Sequence, residues 1–284
     1  MMILPILLLI SDPSSAASLP EPLQPQISPI ARVLPDWLRV RAFAELGTVA
    51  VLFHRIQFSR DGTEFDYVRE GGQNTLQPFA RVSAEAEIFK HHSFVLLYQP
   101  LDLRSTAVLT RDVTIDGGVF AAGSSLDLRY GFDFYRFSYL YDFFADPDLE
   151  VAIGISLQIR NANIGFTATD GSLRRTNENI GPVPVLKARA RYTFKNGVFL
   201  GLEVDGFWAS GRIITGSTND FEGAILDAAI RAGVQLTPWA ELFLNWRTIG
   251  GGARGTEENS PGPGDGYTNN WLWTSSLSLG VGLK

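Results

Sequence analysis

The sequence contains no cysteine and only three histidines in 284 residues. The absence of cysteine excludes disulfide scaffolds, thiolate nucleophiles and cysteine-ligated metals. No apolar run reaches the roughly 20 residues that a membrane-spanning helix requires. The 24 basic and 30 acidic residues give a net charge of −6, so nothing points to nucleic acid as a partner.

The overall composition leaves two classes of protein open. Apolar residues make up 45% of the chain and charged residues only 19%, which excludes a disordered chain. A water-soluble β-protein and a transmembrane β-barrel both have compositions of this kind. The distribution of apolar residues along the chain therefore has to decide between them.

The first 39 residues differ from the rest of the chain. The apolar run Met2–Ile10 is followed by Ser15-Ala16-Ala17, which fits a signal-peptidase site and predicts a signal peptide over residues 1–17. No basic residue precedes the run, so a buried strand or arm is the alternative. Five prolines in residues 18–38 predict an extended linker over 18–39. The folded domain is then predicted to span 40–284.

From about residue 40 onward, apolar residues recur with a period of two, which is typical of strands with one apolar face. In the clearest case, Val151, Ile153 and Ile155 alternate with polar or small residues. Ten strands are predicted, at 41–57, 76–90, 94–108, 124–143, 149–165, 182–194, 198–211, 223–236, 239–249 and 269–284. The fourth changes phase near Tyr135-Arg136, which suggests a bulge.

The predicted connections alternate in length. Short turns at 90–93, 146–148, 195–197 and 237–238 separate long polar segments at 58–75, 109–123, 166–181, 212–222 and 250–268. A hairpin turned at Asp116-Gly117-Gly118 is predicted within the second long segment. An even number of strands with this rhythm is typical of an all-β, antiparallel, up-and-down transmembrane β-barrel, here of about 10 strands within a range of 8–12.

Aromatic residues near the strand ends support the transmembrane interpretation, because such rings settle at a lipid–water boundary. Two girdles are predicted: Trp208, Trp246, Trp271 and Trp273 at one end, and Tyr192, Phe194 and Trp239 at the other. The alternative is a soluble lipocalin-like barrel, in which the apolar face points inward.

Over residues 40–284 the chain resembles bacterial outer-membrane β-barrel proteins in general architecture. The resemblance implies an integral location in the outer membrane of a Gram-negative cell, with the termini and the 18–39 linker on the periplasmic side. It also implies lipid, lipopolysaccharide and the barrel-assembly machinery as partners. The chain departs from the usual pattern at its end, where Lys284 replaces the terminal aromatic residue that the machinery reads.

If the apolar faces meet lipid, the polar faces fill the lumen. The predicted lumen charges are Glu45, Glu85, Glu87, Asp127, Asp133, Glu150, Glu203, Asp205, Asp227 and Glu241, with Arg55, Arg81, Arg129, Arg160, Lys187, Arg189, Arg191, Arg231 and Arg247. The two signs nearly balance, and unpaired buried charges are costly, so an interlocked ion-pair network that closes the barrel is predicted. A narrow, porin-like channel is the alternative.

Candidates for catalysis are few, and no cofactor or metal site is expected. His54 and Ser275 are both predicted to face lipid near one end of neighbouring strands, as the Ser–His pair of outer-membrane phospholipases does. The alternative for this pair is an interfacial histidine beside a small serine. His91 and His92 are predicted to be solvated in a turn. An omptin-like protease site would use Asp61, Asp66 and Asp220, but it lacks a histidine at the rim.

The sequence therefore predicts an outer-membrane barrel with a closed lumen and a structural or surface-interaction role. A channel for small solutes is the second hypothesis, and a lipid-modifying enzyme is the third. The long polar loops fit either surface binding or simple solubility.

Overall fold

The computed structural model describes residues 34–210, 221–256 and 263–284, and its regular structure there consists of β-strands. Within these ranges no helix is long and apolar enough to cross a membrane. The predicted signal peptide and most of the predicted linker lie outside the described residues. The first strand begins at Leu38, two residues before the predicted start of the domain.

Fourteen strands are assigned within the described ranges. They are β1 (Leu38–Phe58), β2 (Phe65–Asp66), β3 (Gln77–Ile88), β4 (His92–Gln99), β5 (Asp102–Val108), β6 (Val113–Ile115), β7 (Gly118–Phe120), β8 (Ser125–Asp142), β9 (Leu149–Ala168), β10 (Arg174–Thr193), β11 (Val198–Ser210), β12 (Glu222–Thr237), β13 (Ala240–Thr256) and β14 (Tyr267–Leu283).

These strands close into an antiparallel barrel of ten staves, which confirms the predicted fold. Each stave pairs with the next along the chain, and β14 pairs with β1 from Ala42↔Leu283 to Phe58↔Thr268. The strands β4 and β5 form one stave, because both pair with β8 in a single register on either side of Pro100. Proline has no N–H to donate, which accounts for the break between them. We call the ten paired staves the ring.

A bulge in β1 exchanges the faces of its last residues. Val51 pairs with Thr274 and Phe53 pairs with Trp273, so Leu52 is an extra residue in the ladder. Leu52 and Phe53 both point outward, and His54 is fully buried inside. The prediction that His54 faces lipid and Arg55 faces the lumen is therefore wrong, because a one-residue slip moves every later side chain to the other face.

The bulge predicted near Tyr135-Arg136 in β8 is absent. The strand pairs with β9 in one unbroken register from Leu126↔Ala168 to Asp142↔Ala152. Its even-numbered residues point inward throughout, and what changes is their chemistry. Arg136 lies inside the ring, whereas Tyr130 lies inside farther along. The phase change in the sequence thus marks a change of interior from polar to apolar.

The apolar interior belongs to a sheet that continues beyond the ring. Residues 102–108, 125–134, 160–168 and 174–185 of β5, β8, β9 and β10 form this raised sheet. Leu128, Ile164 and Phe166 are buried on its inner face. The β9–β10 connection is consequently only the five residues 169–173, and the predicted long loop at 166–181 is wrong. The outward face of these residues is polar, as at Arg174, Thr176 and Glu178, and this gave the segment the composition of a loop.

The segment between β1 and β3 folds inward against the raised sheet. We call residues 59–76 the plug. Phe65 and Tyr67 of the plug are 0% exposed and lie 5.5 Å, centroid to centroid, from the ring of Phe166. The Tyr67 amide donates to the His54 carbonyl at 3.0 Å. The plug therefore belongs to the apolar core and is not a solvated loop.

A short hairpin covers the plug. The strands β6 and β7 turn at Asp116 and Gly117, whose φ values of 44° and 70° suit a two-residue hairpin turn, at the position predicted. Val113 of β6 is fully buried on the inner side of the hairpin. The Thr63 amide donates to the Thr114 carbonyl at 2.9 Å, which ties the hairpin to the plug.

The outward surface of the ring is a continuous apolar belt. Leu46, Ile155, Leu186 and Leu277 are each more than half exposed on it. Beyond the belt, the outward face of the raised sheet is polar, as at Asn161 and Asn163. A closed ring with an apolar outer band and a polar interior is the architecture of a transmembrane β-barrel.

Six of the seven predicted girdle residues lie on outward-facing strand positions or just beyond a strand end: Tyr192, Phe194, Trp208, Trp246, Trp271 and Trp273. Trp239 lies in the β12–β13 turn and is partly buried.

The upper edge of the belt can be measured with two lysine substitutions on the outward face of β9. We expect Ile155→Lys to cost about 2–4 kcal/mol of unfolding free energy in lipid vesicles and Asn161→Lys about 0–1 kcal/mol, because only the former places a charge in the hydrocarbon. Urea titration of the refolded protein measures both. Equal costs would contradict a belt that ends below residue 161.

Candidate functional site: the charged lumen

Ion pairs cross the lumen of the ring from wall to wall. Arg81 on β3 and Glu203 on β11 approach to 3.2 Å. Their strands are five places apart in a ring of ten and therefore lie on opposite sides of the lumen. Arg136 on β8 reaches Asp227 on β12 at 3.0 Å across four places. Such contacts require the lumen to be no wider than two long side chains.

The middle of the lumen holds a layer of seven charged residues, which we call the mid-lumen layer. Its members are Arg81, Arg136, Lys187, Glu203, Asp205, Asp227 and Arg247. Asp227 accepts hydrogen bonds from Arg136 and Arg247 and lies 3.7 Å from Arg81. Lys187 contacts Asp205 at 2.8 Å and Glu203 at 3.2 Å. Each carboxylate in the layer thus faces two or more cations.

A second charged layer lies nearer the short turns, and we call it the rim layer. It consists of Arg41, Glu85, Glu87, Glu150, Arg189, Arg191, Glu241 and Lys284. Arg189 contacts Glu85 at 2.7 Å and Glu150 at 2.5 Å. Between the layers, Glu45 accepts from Arg231 at 2.9 Å and from Asn245 at 2.7 Å.

Aromatic rings fill the space between these charges. The guanidinium of Arg191 lies 3.7 Å from the Phe199 ring centroid, and that of Arg231 lies 4.0 Å from the Phe243 centroid. Cation–π contacts of this kind strengthen when desolvated. Gly280 makes room for Phe243, since a Cβ at Gly280 would overlap the phenylalanine ring. Glycine on the inward face is thus a packing requirement at this point.

Fourteen of the nineteen predicted lumen charges take part in this network. They are Glu45, Arg81, Glu85, Glu87, Glu150, Lys187, Arg189, Arg191, Glu203, Asp205, Asp227, Arg231, Glu241 and Arg247. The side chain of Arg160 lies outside the described residues. The prediction missed Arg41, Arg136 and Lys284, of which Arg136 could have been found by keeping the β8 alternation unbroken.

Four predicted lumen charges lie instead on the outer surface. Arg55 is turned outward by the Leu52 bulge and contacts Asp66 and Glu64. The other three are Asp127, Arg129 and Asp133, on the odd-numbered, outward face of β8 in the raised sheet. They were misplaced because the raised sheet reverses the rule that holds in the ring and presents its polar face to the outside.

His54 and Ser275 do not form a catalytic pair. Ser275 lies on the outward face and accepts a hydrogen bond from Trp246 Nε1 at 2.9 Å, whereas His54 lies on the inward face. His54 Nδ1 is 2.7 Å from Gln73 Oε1 of the plug, and its ring stacks on Tyr67 at 4.3 Å. The wall of the barrel therefore separates the histidine from the serine.

The His54 imidazole is enclosed by the wall and the plug. His54 follows the outward-facing Phe53 on β1 and is 0% exposed. Burial raises the pKa of the Tyr67 hydroxyl of the plug well above its usual range. The contact of His54 with Gln73 and its stacking on Tyr67 tie the plug to the wall.

The residues considered for a protease or metal site are dispersed. Asp66 caps the turn that follows it by accepting from the amides of Val68 and Arg69, and Asp220 lies outside the described residues. His91 and His92 are partly buried, where solvated side chains were predicted, and they bond to the Asp142 carbonyl and the Tyr139 hydroxyl. Across the described ranges, no group of three or more His, Asp or Glu residues is placed to hold a metal ion.

The contribution of the mid-lumen layer can be tested with two matched substitutions. We expect Asp227→Asn to lower the unfolding free energy by about 3–5 kcal/mol, because it leaves buried guanidinium groups without a counter-charge. Asp127→Asn removes an exposed carboxylate that accepts from Thr106 and should change it by less than about 0.5 kcal/mol. Urea titration in detergent micelles measures both values, and equal effects would contradict a buried network.

No protein-family model matches the chain, and no curated protein matches it. Among solved structures, the chain is similar to the outer-membrane protease OmpT from Escherichia coli, with a TM-score of 0.46, 10% identity and coverage of 86% of this chain and 96% of that chain. The chain is also similar to a FadL homologue from Pseudomonas aeruginosa, with a TM-score of 0.37, 10% identity and coverage of 90% of this chain and 92% of that chain. For the β domain of the Bordetella autotransporter BrkA the TM-score is 0.30 and the identity 10%, with coverage of 87% of this chain and 99% of that chain.

At these identities the likeness concerns the fold alone, and the strand pairing itself establishes the architecture. The closed ring of ten antiparallel staves, its outward apolar belt and its charged lumen give the chain the general architecture of bacterial outer-membrane β-barrel proteins.

Proposed function

We propose that this protein is an integral outer-membrane barrel whose lumen is closed to solutes and whose role is structural or in surface interaction. The observation that carries the proposal is the set of ion pairs that join opposite strands, above all Arg81–Glu203 and Arg136–Asp227. A solute could cross the ring only by separating these pairs, which would leave buried charges unpaired at a cost of several kcal/mol each.

The plug supports the same proposal independently. It places Phe65, Tyr67 and Gln73, all 0% exposed, between β1 and the raised sheet. A pore for polar solutes would instead show a water-lined path, with charge of one sign at its constriction. The mid-lumen layer carries both signs in nearly equal number.

The two ends of the barrel support a proposal for its orientation. Outer-membrane barrels have short periplasmic turns and longer extracellular connections. The described ends of the chain and the short turns therefore face the periplasm in our proposal, and the raised sheet, the plug and the hairpin face outward. The polar outer face of the raised sheet would then stand among lipopolysaccharide head groups and water, and assembly would use the barrel-assembly machinery.

Planar-bilayer recording tests the closed lumen. We expect the wild-type protein to show no reproducible unitary conductance, because both the ion pairs and the plug must move before ions can pass. A general porin recorded under the same conditions shows that the assay detects channels. A heat-modifiable shift on unboiled gels shows that the protein is folded. Regular conductance steps from folded wild-type protein would contradict the proposal.

Single cysteines test the orientation, since the chain has none of its own. Ser172 lies at the exposed tip of the β9–β10 hairpin, and Lys195 lies in the exposed β10–β11 turn. The two test variants are Ser172→Cys and Lys195→Cys. A membrane-impermeant maleimide applied to intact cells should label residue 172 only, and permeabilised cells should show labelling at both. Labelling of residue 195 alone on intact cells would reverse the proposed orientation.

A further inference from the structure

The ring encloses a cavity of about 70 Å³ on the short-turn side of the mid-lumen layer. This is room for several water molecules, since one water needs about 10–15 Å³. Arg41 and Arg191 of the rim layer line one part of it, and Arg81 and Arg247 of the mid-lumen layer line another. The cavity therefore extends between the two charged layers.

The wall of the cavity is strongly cationic, although the lumen as a whole is nearly neutral. Eight arginine and lysine side chains line it, against three carboxylates, Glu85, Glu150 and Glu203. The other acids of the network, among them Asp205 and Asp227 of the mid-lumen layer, do not line the cavity. Cations therefore outnumber carboxylates at the cavity surface, although each of these cations is part of an ion pair.

The lining also has hydrogen-bond donors that are not used. The buried Nε groups of Arg41 and Arg247 have no hydrogen-bond partner within the described part of the chain. Each guanidinium carries five N–H donors, and the ion pairs of Arg41 and Arg247 use only their terminal nitrogens. An acceptor with several oxygens would satisfy donors from more than one wall of the cavity at once.

The cavity is reached from the short-turn end. Side-chain exposure is 14% at Arg191 of the rim layer, 22% at Arg231 between the layers and 20% at Glu203, but only 1% at Arg247, so the accessible space ends within the mid-lumen layer. Around the ring at this height each stave is paired with both of its neighbours, which leaves no lateral opening for a bilayer lipid. An occupant must therefore be small and water-soluble.

We propose that this cavity binds a small soluble oxyanion, with inorganic phosphate as the representative ligand, which enters from the short-turn side. Guanidinium groups bind phosphate and carboxylate oxygens through paired, charge-assisted hydrogen bonds. The inference agrees with the closed-lumen proposal, because an anion that enters and leaves by the same end does not cross the ring. The half of the barrel on the short-turn side is then a binding cavity with one entrance and not a channel.

Two arginines can be removed without leaving a carboxylate unpaired. Glu85 keeps Arg189 when Arg41 is lost, and Glu241 keeps Lys284 when Arg191 is lost. The double variant Arg41→Gln/Arg191→Gln should therefore fold and keep the network while losing cationic lining. Arg39→Gln is the matched control, since Arg39 is more than half exposed, pairs with Glu87 alone among the described acids and does not line the cavity.

Isothermal titration of the folded protein in neutral detergent, with inorganic phosphate against chloride at constant ionic strength, measures the site. We expect saturable binding by the wild type, at least about tenfold weaker binding by the double variant and unchanged binding by Arg39→Gln. Glu150→Gln removes an acid from the lining, and Arg189 keeps Glu85, so this variant should bind phosphate severalfold more tightly.

Weaker phosphate binding by the double variant and tighter binding by Glu150→Gln would together distinguish binding in the cavity from general attraction to surface charge. Absence of saturable phosphate binding by the wild type would overturn the proposal. Equal weakening by Arg39→Gln and by the double variant would overturn it as well, because surface charge would then suffice. Unchanged binding by both the double variant and Glu150→Gln would move the binding elsewhere on the protein.

Discussion

Charged side chains in a narrow lumen are stable only when each meets its counter-charge, and the arrangement of the ring follows from this requirement. Glu203 illustrates it, because it lies within 3.2 Å of Arg81, Lys187 and Arg247, which come from three different strands. Shifting one stave by a single residue would replace such a contact with an apolar side chain. The network therefore stabilises the register of the ring as well as filling it.

The barrel has two interiors, and one strand can pass through both without a change of register. In β8 the inward residues are Arg136 and Ser138 within the ring, and Leu128 and Tyr130 within the raised sheet. The outward face changes in the opposite sense, from aromatic to charged. The environment on each side of the wall thus determines the residue types, whereas the pleat alone determines the direction in which each residue points.

The predictable part of the structure is the part where one rule holds throughout. In the ring, apolar residues face out and polar residues face in, so strand positions, the ten-stave closure and fourteen lumen charges follow from alternation. In the raised sheet the rule is reversed, and Asp127, Arg129 and Asp133 were assigned to the wrong side. The polarity of a strand face does not by itself show whether that face lines the barrel interior or contacts water outside it.

Two features gave too little signal to be predicted. The bulge at Leu52 lies in the run Val49-Ala50-Val51-Leu52-Phe53, which contains no polar residue to mark either face, so a slip of one residue leaves the pattern unchanged. The plug lies in a segment rich in glycine and charge, which resembles an ordinary loop. Its only signal is the pair of aromatic residues, Phe65 and Tyr67, within that polar context.

The wall-to-wall ion pairs also have a consequence for assembly. Glu45 is on β1, the first stave, and its partner Arg231 is on β12, the eighth stave, more than 180 residues later in the chain. Until β14 meets β1, the sheet is open and both groups remain in water. The cost of removing the charges from water is therefore concentrated in the final closure, and a nascent barrel keeps a wet, polar face until that step brings all the partners together.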